Sequence, residues 1–151
     1  MRVLARELGV ADHVTFTGRV PDAEMLSMLN TADVCVNSDV ANELNDKSTM
    51  NKIMEYMALG KPIVQFDLTE GRFSAQAASL YARGNDAVDL AAKIVELLDD
   101  PARRLAMGNY GRCRVENELE WRHEAPKLLA AYAALWNEAP RVSSTARRVE
   151  T

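Results

Sequence analysis

Cysteine is scarce in this chain: two in 151 residues, Cys35 and Cys113, far apart in sequence. That excludes a disulfide framework and suits a reducing compartment. Cys35 falls in an apolar run and reads as a small buried hydrophobe, Cys113 as an incidental thiol on a helix. Histidine is equally sparse. His13 and His123 stand near a turn and on a helical pattern, and no Cys/His spacing suits zinc. No Ser/His/Asp or Cys/His set has a spacing that suggests nucleophilic catalysis, and no paired carboxylates on one element suggest hydrolysis. Apolar runs of membrane-spanning length, about 20 residues, are absent, and nothing at the start reads as a signal peptide. Excess positive charge is also missing. The net charge of −4 gives no electrostatic reason to expect nucleic acid as a partner. There is no internal repeat.

What is present is an ordinary globular composition, 48% hydrophobic and 26% charged, in a chain long enough for one domain with a core. Residues 2–9 read as the end of a helix closed by Gly9, with Val3, Leu4 and Leu8 on one side. Residues 14–18 read as a strand. A helix is expected from Pro21 to Thr31, buried through Met25, Leu26, Met28 and Leu29. Residues 33–37 form the next strand and 38–47 a polar loop. After a further helix come a strand at 63–67, a loop or short helix at 68–76 and a short strand at 79–82. Three more helices are expected, at 86–98 with a cap near Asn85 or Asp86, from Pro101 to about Glu118, and from Trp121 to Trp136. Residues 138–151 hold two valines and no larger apolar side chain, so a disordered tail is expected beyond a 1–137 domain. Strands alternating with helices at this spacing indicate an α/β fold, a parallel sheet covered on both faces. Ligands of such sheets bind at the carboxyl ends of the strands.

The most informative stretch runs from Asn45 to Val64. Met50, Ile53, Met54, Met57 and Ala58 fall at helical spacing and predict a buried stripe. Ser48 or Thr49 is the expected cap. Gly60 suits a left-handed residue past the helix, and Pro62 prevents continuation. Glu55 shares a stripe with Ser48 and Asn51, off the apolar face. A loop that ends in a helix N-terminus gathers free amides and partial positive charge, which suits a phosphate. Lys47 and Lys52 flank that start; they read either as contacts to an anionic ligand or as flexible surface lysines. Asp46 is favoured as a cap over a contact to a sugar hydroxyl. Arg72 follows a strand end and reads either as approaching the same cleft or as a loop ion pair with Glu70.

The string Glu55-Tyr56-Met57-Ala58-Leu59-Gly60-Lys61-Pro62-Ile63-Val64 resembles the donor-binding motif of the family 4 (group 1) glycosyltransferases, which have the GT-B fold. That motif has a first Glu eight residues before the second. Lys47 stands there in this chain, and Asn45 to Ile53 resembles a subgroup carrying this string instead. Val14 to Val20, Ala32 to Val36, and Trp121 with Leu128, Leu129 and Tyr132 extend the resemblance from the first residues to about Trp136.

The resemblance implies a Rossmann-like domain, the C-terminal half of a retaining, metal-independent transferase that uses a nucleoside diphosphate sugar, with no cofactor. It implies that Glu55 accepts hydrogen bonds from the ribose hydroxyls. Donor contacts are then expected at Lys47, Ser48, Thr49, Asn51, Lys52 and Arg72, with no metal ligands. It also implies that an acceptor-side N-terminal domain and the first strands of this domain are missing, so the isolated chain is expected to show little or no transfer. Those strands would lie between segments 14–18 and 33–37. Apolar edges left open by their loss are expected to seek a partner, either an N-terminal domain in another chain or a second copy. A cytoplasmic location is expected, with any peripheral membrane contact made through the absent half. The alternative reading is a non-catalytic or vestigial Rossmann-like nucleotide-binding module. A GT-B sugar-nucleotide epimerase competes less well, because the Glu55-to-Val64 string argues against it.

Overall fold

Three short parallel strands organise the chain: β1 (Cys35–Asn37), β2 (Ile63–Phe66) and β3 (Ser79–Ala82), in the order β1-β2-β3. The structure is a computed structural model and describes residues 1–138. Cys35 pairs with Ile63 and Ile63 with Ser79, and the register continues to Asn37 beside Gln65 and Phe66 beside Ala82. β2 lies in the middle and is buried along its whole length, which explains its largely apolar run.

Eight α-helices accompany the strands among the described residues: α1 (Arg2–Glu7), α2 (Asp22–Thr31), α3 (Glu43–Asp46), α4 (Asn51–Ala58), α5 (Thr69–Ala75), α6 (Ala87–Leu98), α7 (Pro101–Arg114) and α8 (Trp121–Glu138). Alternation along β2 sends neighbouring side chains to opposite faces. Ile63 packs with Ile53 and Met57 of α4, Ala75 of α5 and Ala78. Val64 and Phe66 pack with Ala82, with Leu90 and Leu97 of α6 and with Met107 of α7. Ile53, Met57 and Ile63 are fully buried; each such side chain contributes roughly 1.5–3 kcal/mol of burial free energy. The expected α/β sheet with helices on both faces is therefore present.

Several boundaries follow from local caps. Asp86 accepts from the amides of Val88 and Asp89 at the start of α6, and Asp100 accepts from Arg103 at the start of α7, where Pro101 occupies the first turn. Gly60 ends α4 with φ +67°. There α7 crosses at backbone contact: a Cβ built on Gly108 would lie 2.0 Å from the carbonyl oxygen of Gly60. Arg114, buried at the end of α7, donates to the carbonyls of Ser74 and Phe73 at 3.0 and 3.1 Å and pairs with Glu118.

Other expectations require correction. Residues 14–18 join no strand; the Phe16 carbonyl accepts from the Arg2 guanidinium at 2.9 Å, and that guanidinium sits 4.9 Å from the Phe16 ring centre. A strand exists only where a neighbour takes up its backbone groups, and no strand of the sheet lies beside this segment. For the same reason α2 buries no residue. Met25, Leu26 and Met28 are exposed, as are Val3, Leu4 and Leu8, and Ala5 is the one buried apolar residue before Cys35. The polar loop 38–47 contains α3, whose first turn is capped by Asn42 accepting from the Asn45 amide at 2.8 Å. The motif helix begins at Asn51, with Met50 in the cap position and no side-chain cap. The helix from Pro101 stops at Arg114, and a wider helical turn, Val115–Leu119, carries the chain to α8. α8 runs to Glu138; the expected tail otherwise lies outside the described residues.

Candidate functional site

The carboxyl ends of the three strands open on one side of the sheet, and side chains lace the loops there together. Asn85, held at φ +62°, accepts from the Ala41 amide at 2.8 Å and donates back to the Ala41 carbonyl at 3.0 Å. This joins the loop after β1 to the loop after β3. Asp46 receives both the amide and the hydroxyl of Thr69, at 2.8 and 3.0 Å. Those two hydrogen bonds hold its carboxyl below the usual carboxylate range. Asp46 is thus a cap, as favoured from sequence, but it caps the start of α5. Arg72 meets Asp67 in a fork, 2.8 and 2.7 Å, and lies 4.1 Å over the Tyr81 ring centre. The hydrogen bonds it donates to Asp67 push the guanidinium pKa up, and burial pushes the Tyr81 phenol up to about 12. Glu70, the expected partner of Arg72, accepts from the Thr49 hydroxyl at 2.8 Å instead.

The remaining site residues divide into engaged and open. Lys47 pairs with Glu43 at 2.8 Å and Lys52 with Asp39 at 2.8 Å. The Ser48 hydroxyl donates to the Leu44 carbonyl. Neither Ser48 nor Thr49 caps α4, so the first-turn amides of that helix keep no side-chain acceptor and face outward with the positive end of the helix dipole. Asn51 and Glu55 are exposed. Among the described residues neither side chain is taken up in an ion pair or hydrogen bond.

Two grooves meet this region. One of about 620 Å³ is lined by Asn42, Glu43, Leu44, Lys47 and Ser48. The other, about 300 Å³, lies between α2 and α4 and is lined by Asp22, Met25, Leu26, Leu29, Glu55, Ala58 and Leu59. Lys47 and Ser48 therefore share a cavity, whereas Glu55 opens into the second groove with the N-terminal turn of α4 between them. Asp22 also lines the second groove and was not singled out from sequence. Its signal was Pro21-Asp22, which puts a carboxylate in the first turn of a helix. Among the described residues no cluster of three or more His, Cys, Asp or Glu is arranged to hold a metal, and no helix is long and apolar enough to cross a membrane.

A parallel sheet with helices on both faces defines a Rossmann-like α/β class of fold. Residues 1–100 match the family described as Glycosyl transferases group 1, and the chain belongs to that family. It is 32% identical over 117 residues to a GDP-mannose-dependent monoacylated alpha-(1-6)-phosphatidylinositol monomannoside mannosyltransferase of Corynebacterium glutamicum, covering 74% of this chain and 30% of the relative. It is 29% identical over 137 residues to a 2-deoxystreptamine glucosyltransferase of Streptomyces kanamyceticus, covering 87% of this chain and 33% of that protein. Among solved structures, sucrose-phosphate synthase from Thermosynechococcus elongatus superposes with a TM-score of 0.74 at 26% identity, over 90% of this chain and 34% of the synthase. The fold is accordingly that of a GT-B glycosyltransferase domain. The chain spans about a third of the length of these relatives.

Proposed function

We propose that this chain forms the donor-binding part of a retaining glycosyltransferase that uses a nucleoside diphosphate sugar, and that alone it transfers little or no sugar. Glu55 carries the reading. Its carboxylate is exposed, opens into a groove and, among the described residues, keeps no protein partner, and it stands in the string by which the chain resembles its family. A carboxylate offers only acceptors, which suits the two adjacent hydroxyls of a ribose. The uncapped first turn of α4, with Asn51 exposed beside it, suits the diphosphate. Lys47, Ser48 and Thr49 precede that turn and Lys52 lies in it; with Arg72 on α5 they would supply positive charge and hydroxyl donors once ligand competes for them. Such groups would also stabilise the leaving diphosphate during transfer.

A second reading, a Rossmann-like module that holds a nucleotide weakly without chemistry, has its own observation. Lys47, Lys52 and Arg72 are each already paired with a carboxylate, so diphosphate binding must break those contacts. Amide-shift titration of the 151-residue chain with a nucleoside diphosphate tests the site. Shifts centred on residues 46–55 are expected; shifts confined elsewhere would remove the assignment.

A further inference from the structure

Arg114 is the one charged side chain buried among the described residues, and the donor reading does not use it. Its guanidinium reaches from the end of α7 to the end of α5. Nε donates to the Ser74 carbonyl at 3.0 Å and Nη2 to the Phe73 carbonyl at 3.1 Å, while Nη1 pairs with Glu118. The last carbonyls of a helix have no partner inside it, so these bonds fall where α5 needs them. Tyr110 lies one turn earlier on the same stripe of α7, and its hydroxyl donates to Gln76 Oε1 at 2.7 Å. Gln76 ends α5 at φ +46°, and its carbonyl accepts from the Tyr81 hydroxyl at 2.8 Å. An apolar side chain of similar length would fill the space beside α5 without taking a charge out of water. It could not hold two carbonyls in a fixed fork. The guanidinium therefore contributes orientation, beyond what packing requires.

We propose that Arg114 is a positioning residue for Arg72: by fixing the carboxyl end of α5 it aims the guanidinium that α5 offers to the donor diphosphate. The proposal rests on the diphosphate reading of Arg72 and deepens it. α5 has seven residues, and isolated helices shorter than about 12 residues are marginal in water. Its placement is therefore set from outside. Asp46 holds its first turn through Thr69. Gln65 of β2 donates to the Gly71 carbonyl at 3.3 Å, and a Cβ built on Gly71 would stand 2.5 Å from Gln65 Oε1, so the middle of α5 rests on the sheet. Arg114 supplies the third point of support. Asp67 is fixed independently, because its amide donates to the Ala82 carbonyl at 2.8 Å at the end of the sheet. The fork of 2.8 and 2.7 Å between Arg72 and Asp67, and the stacking of Arg72 at 4.1 Å on Tyr81, thus join a group on α5 to two groups on or beside the sheet. Both contacts hold only while α5 keeps its place. Arg114 in this account acts through Arg72 and takes no part in transfer.

Arginine side-chain nitrogen spectra and calorimetry of the 151-residue chain test it, with Arg72→Met, Arg114→Met, Arg114→Lys and Glu118→Gln. The Nε–H signal of Arg72, identified by its loss in Arg72→Met, reports the fork with Asp67. In Arg114→Met it should move to the position of a solvent-exposed arginine. It should move likewise in Arg114→Lys, which keeps the charge beside Glu118 but cannot hold both carbonyls with one compact ammonium. In Glu118→Gln, which removes the ion pair and leaves the carbonyls held, it should stay in place. Melting of each variant establishes that it is folded, and Arg114→Lys carries the test if Arg114→Met does not fold. Titration with GDP and with UDP reads the donor side. Arg72→Met should weaken the nucleotide that the parent chain binds by about tenfold or more, the scale of one hydrogen bond to a charged group. Each Arg114 variant should lose most of the same factor, and its combination with Arg72→Met no more than Arg72→Met alone, the mark of one residue acting through another. An Arg72 signal unchanged in the folded Arg114 variants, or losses that multiply in the double variant, would overturn the positioning. A signal that moves while Arg72→Met binds as the parent does, or while the parent binds neither nucleotide, would overturn the diphosphate reading of Arg72 and leave its placement by Arg114 standing.

Discussion

Replacing Gly108 with alanine tests whether α7 really rests on the end of the motif helix. The added Cβ would stand 2.0 Å from the Gly60 carbonyl oxygen and 2.9 Å from its carbon. Both are backbone atoms, so no side chain can rotate away; α7 must retreat by about 1 Å, opening its packing through Met107. Overpacking of this kind costs about 1–3 kcal/mol. Against it stands the gain of roughly 0.5–1 kcal/mol that alanine brings to a helix interior. The net loss is centred on about 1 kcal/mol, or a fall in Tm of roughly 2–4 °C at this chain length. Asn109→Ala, at the exposed neighbouring position, controls for helix propensity and should change stability by less than about 0.5 kcal/mol. Circular dichroism melts of the three proteins decide the matter. A Gly108→Ala protein that melts at or above the parent would refute the backbone contact, and with it the support that α7 gives to Gly60.

Stability should also fall in acid. Asp46, Asp89 and Glu96 all titrate below their ordinary range in the folded chain, through Thr69, through the Arg83 amide and through Lys93 with Arg103. Their contribution is complete above the unfolded carboxylate pKa of about 4 and is lost as pH falls through the lower folded values. Melting midpoints of the parent and Asp46→Asn, measured from pH 7 to 3, should converge at the acid end; parallel curves would show that Asp46 gains nothing from Thr69. A further expectation concerns the uncovered apolar side chains of α1 and α2 and of α8, where Leu129, Tyr132, Leu135 and Trp136 are exposed. Sedimentation at rising concentration should show self-association, or melting should be low and broad. A strict monomer with a sharp, high transition would contradict that.

The elements legible in the sequence are those whose signals are local. The apolar stripe of α4, Gly60 and Pro62 after it, the run of β2, the carboxylate cap at Asp86 and Pro101 at the start of α7 each act within a few residues. Segment 14–18 carries the same local strand pattern but lacks a partner, and pairing is a non-local fact that composition does not encode. The buried face expected for α2 failed for the same reason: periodicity names a face and says nothing of what covers it. In the candidate site, the exposure of Glu55 and Asn51 was legible from their stripe. The partners of Lys52, Thr49, Asp46 and Arg72 were not, since only Arg72 finds its partner close by in sequence, and there at Asp67 in place of Glu70. That Asp22 lines the groove beside Glu55 was illegible because two helices that sequence reading treats separately make that groove.

The central claim is that Glu55 accepts from the ribose of a nucleoside diphosphate. Comparing a nucleoside diphosphate with its 2′,3′-dideoxy analogue, on the parent chain and on Glu55→Gln, isolates that contact. A hydrogen bond to a charged acceptor is worth roughly 1.5–3 kcal/mol, so the parent should prefer the natural nucleotide by about tenfold or more. Glu55→Gln should lose most of that preference, whereas Glu24→Gln, at an exposed position on α2 outside the groove, should keep it. An identical preference in the parent and in Glu55→Gln would mean that the ribose hydroxyls do not meet Glu55, and the site would have to be sought elsewhere on the sheet.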